Sequence, residues 1–240
     1  MADPQVAANL DGVRERIAGA CARAGRPGNS VRLVAVSKKI PLPLMVAACR
    51  AGQWDLGENR IPEAVERQPE LARLLTEAGL PADKVRWHFI GHLQSNKAGK
   101  AAGRFHMLHS VDSLKLAEKL SRLAGEAGRT ETILLEVNIS AEPQKSGFSA
   151  DETGEAVARI AELPGLDLQG LMGMGRYGAA EDELRSGFSS LRRLAETARS
   201  ATGLPLPELS MGMSGDFEAA IAEGSTLIRV GGAIFGPRQA

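Results

Sequence analysis

The chain has 240 residues, with 29 Lys+Arg set against 29 Asp+Glu for a formal net charge of zero. That length suits one α/β barrel or two small domains. The charge balance argues against a nucleic-acid binder, which needs a clustered excess of Lys and Arg.

The opening stretch MADPQVAANLDGVRERIAGA has early Asp residues and no continuous apolar core, so it does not read as a signal peptide. No uncharged apolar run approaches membrane-spanning length. The expectation is a soluble, cytoplasmic protein. Cys21 and Cys49 lie in Ala-rich stretches and read as small buried apolar residues rather than a disulfide or metal framework.

An amphipathic helix over about Val6–Ala24 comes first, then a Gly25–Gly28 turn and a β-rich run at 31–36. A helix follows Pro41 and stops at Gly52. Residues 54–58 read as the second strand, with a charged helix from Pro62 to Ala78. The third strand is 85–90, with a shorter helix around Lys97. The fourth is 105–111, followed by a helix with Leu114, Ala117, Leu120 and Leu123 at helical spacing. Residues 132–139 form a buried-strand pattern before a helix over 150–163. Residues 166–172 are a strand and 181–201 a long helix. A short strand at 209–211, a helix over 217–222 and a last strand at 227–230 complete the chain.

Strands alternating with helices imply parallel pairing, because a parallel pair needs a long crossover. The predicted fold class is α/β, a single (β/α)8 TIM-type barrel with an extra N-terminal helix. No linker divides the chain, so residues 1–240 are read as one domain: an N-terminal helix and turn over 1–30 and a barrel over 31–240.

In such barrels the chemistry belongs at the carboxyl ends of the strands. Lys38, in Ser37-Lys38-Lys39, ends a Val/Leu strand and can project into the mouth, where desolvation frees its amine for Schiff-base chemistry. The alternative is a snorkelling lysine. Side-chain alternation lets only one of Lys38 and Lys39 face the cavity.

Met213-Ser214-Gly215-Asp216 and Arg229-Val230-Gly231-Gly232 place glycines and a hydroxyl after the last two strands. That is where barrels commonly bind phosphate, although glycines also serve ordinary turns. Arg229, inside an apolar strand, needs a partner. It can hydrogen-bond a ligand's ring nitrogen, and its fixed charge would oppose protonation of that nitrogen. Its alternative is a structural ion pair with a carboxylate below the barrel.

The segments VAVSKKIP, WDLGENR, WHFIGHLQSNK, LEVNISAEPQKSGF, LQGLMGM and LSMGMSGDFEAAIAEGSTLIRVGGAIFG occur in this order from about Val31 to Arg238. Together they closely resemble the YggS/PROSC family of pyridoxal phosphate homeostasis proteins, which is similar in fold to the barrel domain of alanine racemase. The resemblance implies a pyridoxal 5′-phosphate cofactor held as a Schiff base on Lys38. It implies phosphate contacts at Ser214, Gly231 and Gly232, Arg229 at the pyridine nitrogen, and Asn59 near the ring. Lys145 matches a further lysine that exchanges with the cofactor in some relatives; a solvated loop lysine is the other reading.

Two departures stand out. The family often has Thr or Ser where Gly232 stands, and an aromatic residue where Arg60 stands.

Alanine-racemase-type enzymes need a second domain that supplies an opposing base. The sequence stops four residues after Gly236, and its one tyrosine, Tyr177, sits in a Gly-rich loop. The implied role is to bind, buffer and deliver the cofactor without robust catalysis. The expected state is a monomer that transiently meets pyridoxal-phosphate-dependent apoenzymes, with no nucleic-acid or membrane partner.

The alternatives are a weak racemase-like enzyme and an enzyme forming a transient Schiff base with a sugar phosphate. Gly173-Met174-Gly175-Arg176-Tyr177-Gly178 matches G-x-G-x-x-G, but no helix is predicted to open within it. His88 and His92 lie ~13 Å apart if fully extended. His106 and His109 fall on opposite faces. No metal site is expected, and structural or ring-packing roles are the better reading, with His88 available to the cavity floor.

Overall fold

A computed structural model describes residues 4–140, 142 and 144–236. Its strands are β1 (Arg32–Val36), β2 (Asp55–Glu58), β3 (Arg86–Phe89), β4 (Met107–Val111), β5 (Glu131–Val137), β6 (Leu166–Gly173), β7 (Glu208–Met213) and β8 (Leu227–Val230). They pair in chain order, all parallel, and β1 meets β8 to close an eight-stranded barrel.

The helices are α1 (Pro4–Arg23), α2 (Leu42–Arg50), α3 (Ile61–Glu77), α4 (Ala98–Ala101), α5 (Leu114–Glu126), α6 (Ala150–Ala161), α7 (Glu181–Thr202), α8 (Phe217–Ala222) and α9 (Gly232–Phe235). The eight-strand expectation and the extra N-terminal helix are both met. The α9 turn was not anticipated, because GGAIFG is too short and too Gly-rich to carry a helical period. The helix expected near Lys97 is a 3-10 turn, Ser95–Lys97, leading into α4.

Strand alternation divides the apolar residues into two layers. Leu33 and Ala35 of β1 face outward into a cluster with α1 and α2 residues such as Leu10, Ile17, Met45 and Ala48. Val34 faces inward with Met107, Leu134, Met172 and Leu227.

Helix α1 buries Val6, Leu10, Val13, Ile17 and Cys21, a 3–4 spacing that makes one apolar stripe. It packs on α2, α8 and α9, and its Asn9 amide donates to the Ile234 carbonyl at 2.8 Å. The N-terminal helix therefore braces the last turn of the barrel.

Both cysteines are buried and free, and burial pushes the Cys49 thiol up to about 12. No described helix is long and apolar enough to cross a membrane.

Candidate site at the C-terminal mouth of the barrel

The β1–β2 register pairs Val36 with Gly57. Two residues further on, Lys38 and Asn59 come together along a cleft of about 190 Å3 that Lys39, Arg60 and Glu63 also line. Lys38 is half-buried, whereas Lys39 is exposed and takes a positive φ of 60°. Both lysines therefore border the cleft, against the expectation from alternation: β1 ends at Val36, so strand parity no longer governs them, and Lys38 is the more buried of the two.

Behind them, Glu58 is fully buried and accepts the Ser37 hydroxyl at 2.9 Å. Burial drives its carboxyl above the usual range, against the pull of Arg67, the Ser37 hydroxyl and Lys38. Gly91 fixes Asn59 from the other side: a Cβ there would lie 2.2 Å from the Asn59 carbonyl oxygen. Only glycine lets the β3 end pass so close.

The turns after β7 and β8 meet each other and then meet β1. The Gly231 amide donates to Ser214 Oγ at 3.3 Å. A Cβ on Gly231 would come 3.2 Å from Cβ of Val36, two residues before Lys38, while one on Gly232 meets nothing within 4 Å. The Asp216 carboxylate accepts the Met213 amide at 2.5 Å and shapes the Ser214 turn.

Arg229 lies on β8 beside Val34 of β1 in the strand register. The Gly231 turn and Arg229 thus both lie against β1, and Lys38 and Asn59 meet along the β1–β2 cleft.

Arg229 is buried and donates from Nη1 to Ser210 Oγ at 2.6 Å and from Nη2 to the Gly173 carbonyl at 3.1 Å. Burial lowers its pKa to about 10, opposed by the Asp216 and Glu136 carboxylates. Neither carboxylate makes an ion pair with it among the described residues. The structural alternative posed for Arg229, an ion pair below the barrel, gives way to a neutral hydroxyl and a carbonyl.

Glu136 was not anticipated. Leu134 and Met172 belong to the inner layer, and alternation puts Glu136 on that same face, above them. Burial and the Asp112 charge push its carboxyl up to about 7. A glutamate amid LLEVN is a detectable signal, since a charge inside a buried strand demands a reason.

Lys145 lines a different concavity, between β5, α6 and α7, and pairs with Glu142. It does not join the cleft of Lys38 and Asn59. The histidines also separate. His88 and His109 are buried and bond ring to ring at 2.9 Å, with the His106 ring edge-on to His88 at 5.5 Å. His92 stands apart, paired with Asp112 at 2.9 Å. Among the described residues no group of three His, Cys, Asp or Glu side chains is placed to hold a metal ion. The G-x-G-x-x-G match ends at Gly178, yet α7 opens only at Glu181, and the sheet is a closed barrel rather than an open one. Both features oppose a dinucleotide site.

Fold and mouth together define a closed parallel barrel with an amine and a glycine–hydroxyl turn on its carboxyl-end loops and a buried guanidinium on its last strand. The chain belongs to the family described as alanine racemase, N-terminal domain, whose model matches residues 8–239, and within it to the pyridoxal phosphate homeostasis proteins.

A relative of that description from Escherichia coli strain K12 is 40% identical over 236 residues, covering 98% of this chain and 97% of its own. The structure of PipY from Synechococcus elongatus PCC7942 with pyridoxal phosphate bound is 38% identical, with a TM-score of 0.82, covering 97% of this chain and 100% of its own. An alanine racemase from Clostridium difficile 630 shares the fold at a TM-score of 0.72 and 15% identity; the match covers 100% of this chain and 57% of the racemase.

Proposed function

We propose that this chain binds pyridoxal 5′-phosphate in the barrel mouth, on Lys38, and serves intracellular cofactor homeostasis rather than turnover. The observation that carries the reading is the convergence on β1: the Gly231 turn packs on Val36 and bonds Ser214, Arg229 lies beside Val34, and Lys38 follows two residues after Val36. The bound state reported for PipY supports it.

The donor set fits the cofactor. An amine stands ready for an aldehyde. Backbone amides and the Ser214 hydroxyl suit a phosphate, with open space beside Gly232. A buried guanidinium suits a ring nitrogen. When bound, pyridoxal phosphate supplies an aldehyde that condenses reversibly with amines and a ring that withdraws electrons.

The chain's own residues then divide the work. Lys38 would provide the covalent anchor, the β7 and β8 turns would hold the phosphate end, and Asn59 would border the ring. Arg229 would donate to the ring nitrogen, and its charge would oppose protonation there and so weaken the electron sink. A carrier gains from this and a transaminase would not. Tyr177, the one tyrosine, is 99% exposed and so offers no opposing base in the mouth. The setting we infer is cytoplasmic, the working unit one barrel domain and a monomer, and the partners are pyridoxal phosphate and the apoenzymes that take it.

A second reading, weak amino-acid chemistry on the same cofactor, is favoured by Glu136 alone. A carboxyl held at about 7 inside the mouth is matched to proton transfer near neutral pH. Turnover that survives purification and falls with Glu136→Gln would establish it.

The test of the main reading is the absorbance of protein incubated with pyridoxal phosphate. Wild type is expected to show a lysine-linked band above roughly 400 nm that Lys38→Ala abolishes. A colourless wild type contradicts it.

A further inference from the structure

A line of polar side chains runs through the barrel from its floor to its mouth. At the floor, the Asp55 carboxylate takes Arg86 Nε at 2.8 Å and faces His88 Nε2 at 2.9 Å. His88 Nδ1 lies 2.9 Å from His109 Nε2, and His109 Nδ1 lies 2.8 Å from Ser210 Oγ. Ser210 then takes Arg229 Nη1 at 2.6 Å. His88, His109 and Ser210 are fully buried and come from three different strands.

The two ends dictate the direction of this line. A carboxylate only accepts and a guanidinium only donates. Burial presses both imidazoles toward the neutral form, His109 furthest. Neutral rings leave one consistent assignment. His88 donates from Nε2 to Asp55 and accepts at Nδ1. His109 donates from Nε2 to His88 and accepts at Nδ1. The Ser210 hydroxyl donates to His109 and accepts from Arg229. Every hydrogen bond points the same way, from the mouth to the floor.

Hydrogen bonds aligned head to tail polarise one another in a low-dielectric interior. The Asp55 charge is thereby felt at Ser210 Oγ, which becomes a stronger acceptor for a buried cation that has no ion-pair partner among the described residues. Burial and its Arg86 and His88 hydrogen bonds oppose each other at Asp55. The hydrogen bonds win, so its carboxyl stays well below the usual range and charged.

We propose that Asp55, His88, His109 and Ser210 are positioning residues for Arg229. They pin one arm of the guanidinium and set how strongly its remaining N–H groups donate to a ring-nitrogen acceptor in the mouth. The proposal rests on the pyridoxal phosphate reading above. It assigns a ligand-directed role to groups at the opposite end of the barrel from the ligand.

The test is a double-mutant cycle read by pyridoxal phosphate titration on the intact protein, with thermal unfolding of each unloaded variant as the control for folding. Ser210→Ala cuts the line and is expected to weaken binding roughly tenfold and shift the bound band. Asp55→Asn keeps an acceptor for His88 but removes the charge, and is expected to cost about threefold. The double variant should bind no worse than Ser210→Ala alone. Arg129→Gln, which breaks the floor pair with Glu131 and touches no member of the line, should leave affinity within about twofold. If Ser210→Ala does not fold, His109→Asn breaks the same line and takes its place.

Long-range 1H–15N spectra of the unloaded protein give a readout that needs no cofactor. Both buried imidazoles should be neutral and protonated on Nε2. Additive or absent effects on affinity, or a proton on Nδ1 of His88 or His109, overturn the positioning role while leaving cofactor binding intact. A wild type that takes up no pyridoxal phosphate overturns the cofactor reading itself, and this proposal with it.

Discussion

The two ends of the barrel are built from different chemistry. The floor is stapled by charged pairs around the strand starts. Arg32 of β1 pairs with Glu208 of β7, which also accepts the Thr226 hydroxyl at 2.6 Å. Arg86 of β3 pairs with Asp55 of β2 at 2.5 Å, and Arg129 pairs with Glu131 of β5 at 2.7 Å. The mouth has ion pairs as well, Glu58 with Arg67 at 3.7 Å and His92 with Asp112 at 2.9 Å, but they join loop and helix residues to the strand ends rather than tie the strands together. It is shaped by close backbone passages at Gly91 and Gly231 and by short loop hydrogen bonds. Rigid closure at one end leaves the other free to present an amine, a hydroxyl and main-chain amides to a ligand, the usual division of labour in parallel barrels.

Variants can break that comparison. The largest effect is expected from Glu136, a mouth residue that bears on stability. Its carboxyl is raised from 4.5 to about 7 in the folded chain. A raised carboxyl favours the fold fully below the pH where the unfolded chain titrates, and that contribution is lost as pH rises through about 7. The loss approaches about 3 kcal/mol at pH 8. Glu136→Gln should therefore unfold at higher urea than wild type at pH 8 and lose that advantage at pH 5; parallel curves at both pH values would refute the account of its burial.

Gly231→Val comes next. The added side chain meets Val36 and should weaken pyridoxal phosphate binding about thirtyfold, roughly 2 kcal/mol, in an absorbance titration with little change in unfolding midpoint.

The floor should respond in the opposite way. Glu208→Ala leaves Arg32 and the Thr226 hydroxyl without their carboxylate, and about 1 kcal/mol of stability should go in urea unfolding with cofactor affinity unchanged. The smallest expected effect is a gain. Gly232→Ser places a hydroxyl in open space beside the Gly231 turn and should tighten binding by about twofold.

Much of the fold was legible in the sequence because each strand is an apolar, β-branched run bounded by turn residues, as in VRLVAV and TILLEV. Strand ends at Lys38, Asn59, Ser214 and Gly231 could be read the same way, since a barrel puts its chemistry at those positions. What could not be read was the interior. His88 and His109 are 21 residues apart, and His109 and Ser210 are 101 apart. Only closure of the barrel brings them into line.

A faint signal existed. Asp55, His88, His109, Ser210 and Arg229 each interrupt an apolar strand, and their alternation with outward-facing residues such as Leu56, Phe89, Leu108, Leu209 and Ile228 puts them all on the inner face. Parity within a single strand is legible for the histidines, but parity across strands needs the register that the structure supplies.

The most direct test of the central claim is borohydride reduction of the protein loaded with pyridoxal phosphate, followed by mass mapping of the modified peptide. The expected result is one phosphopyridoxyl group on Lys38, with Lys39 and Lys145 unlabelled at stoichiometric loading. Label confined to Lys39 or Lys145, or no stable label at all, would contradict Lys38 as the anchor.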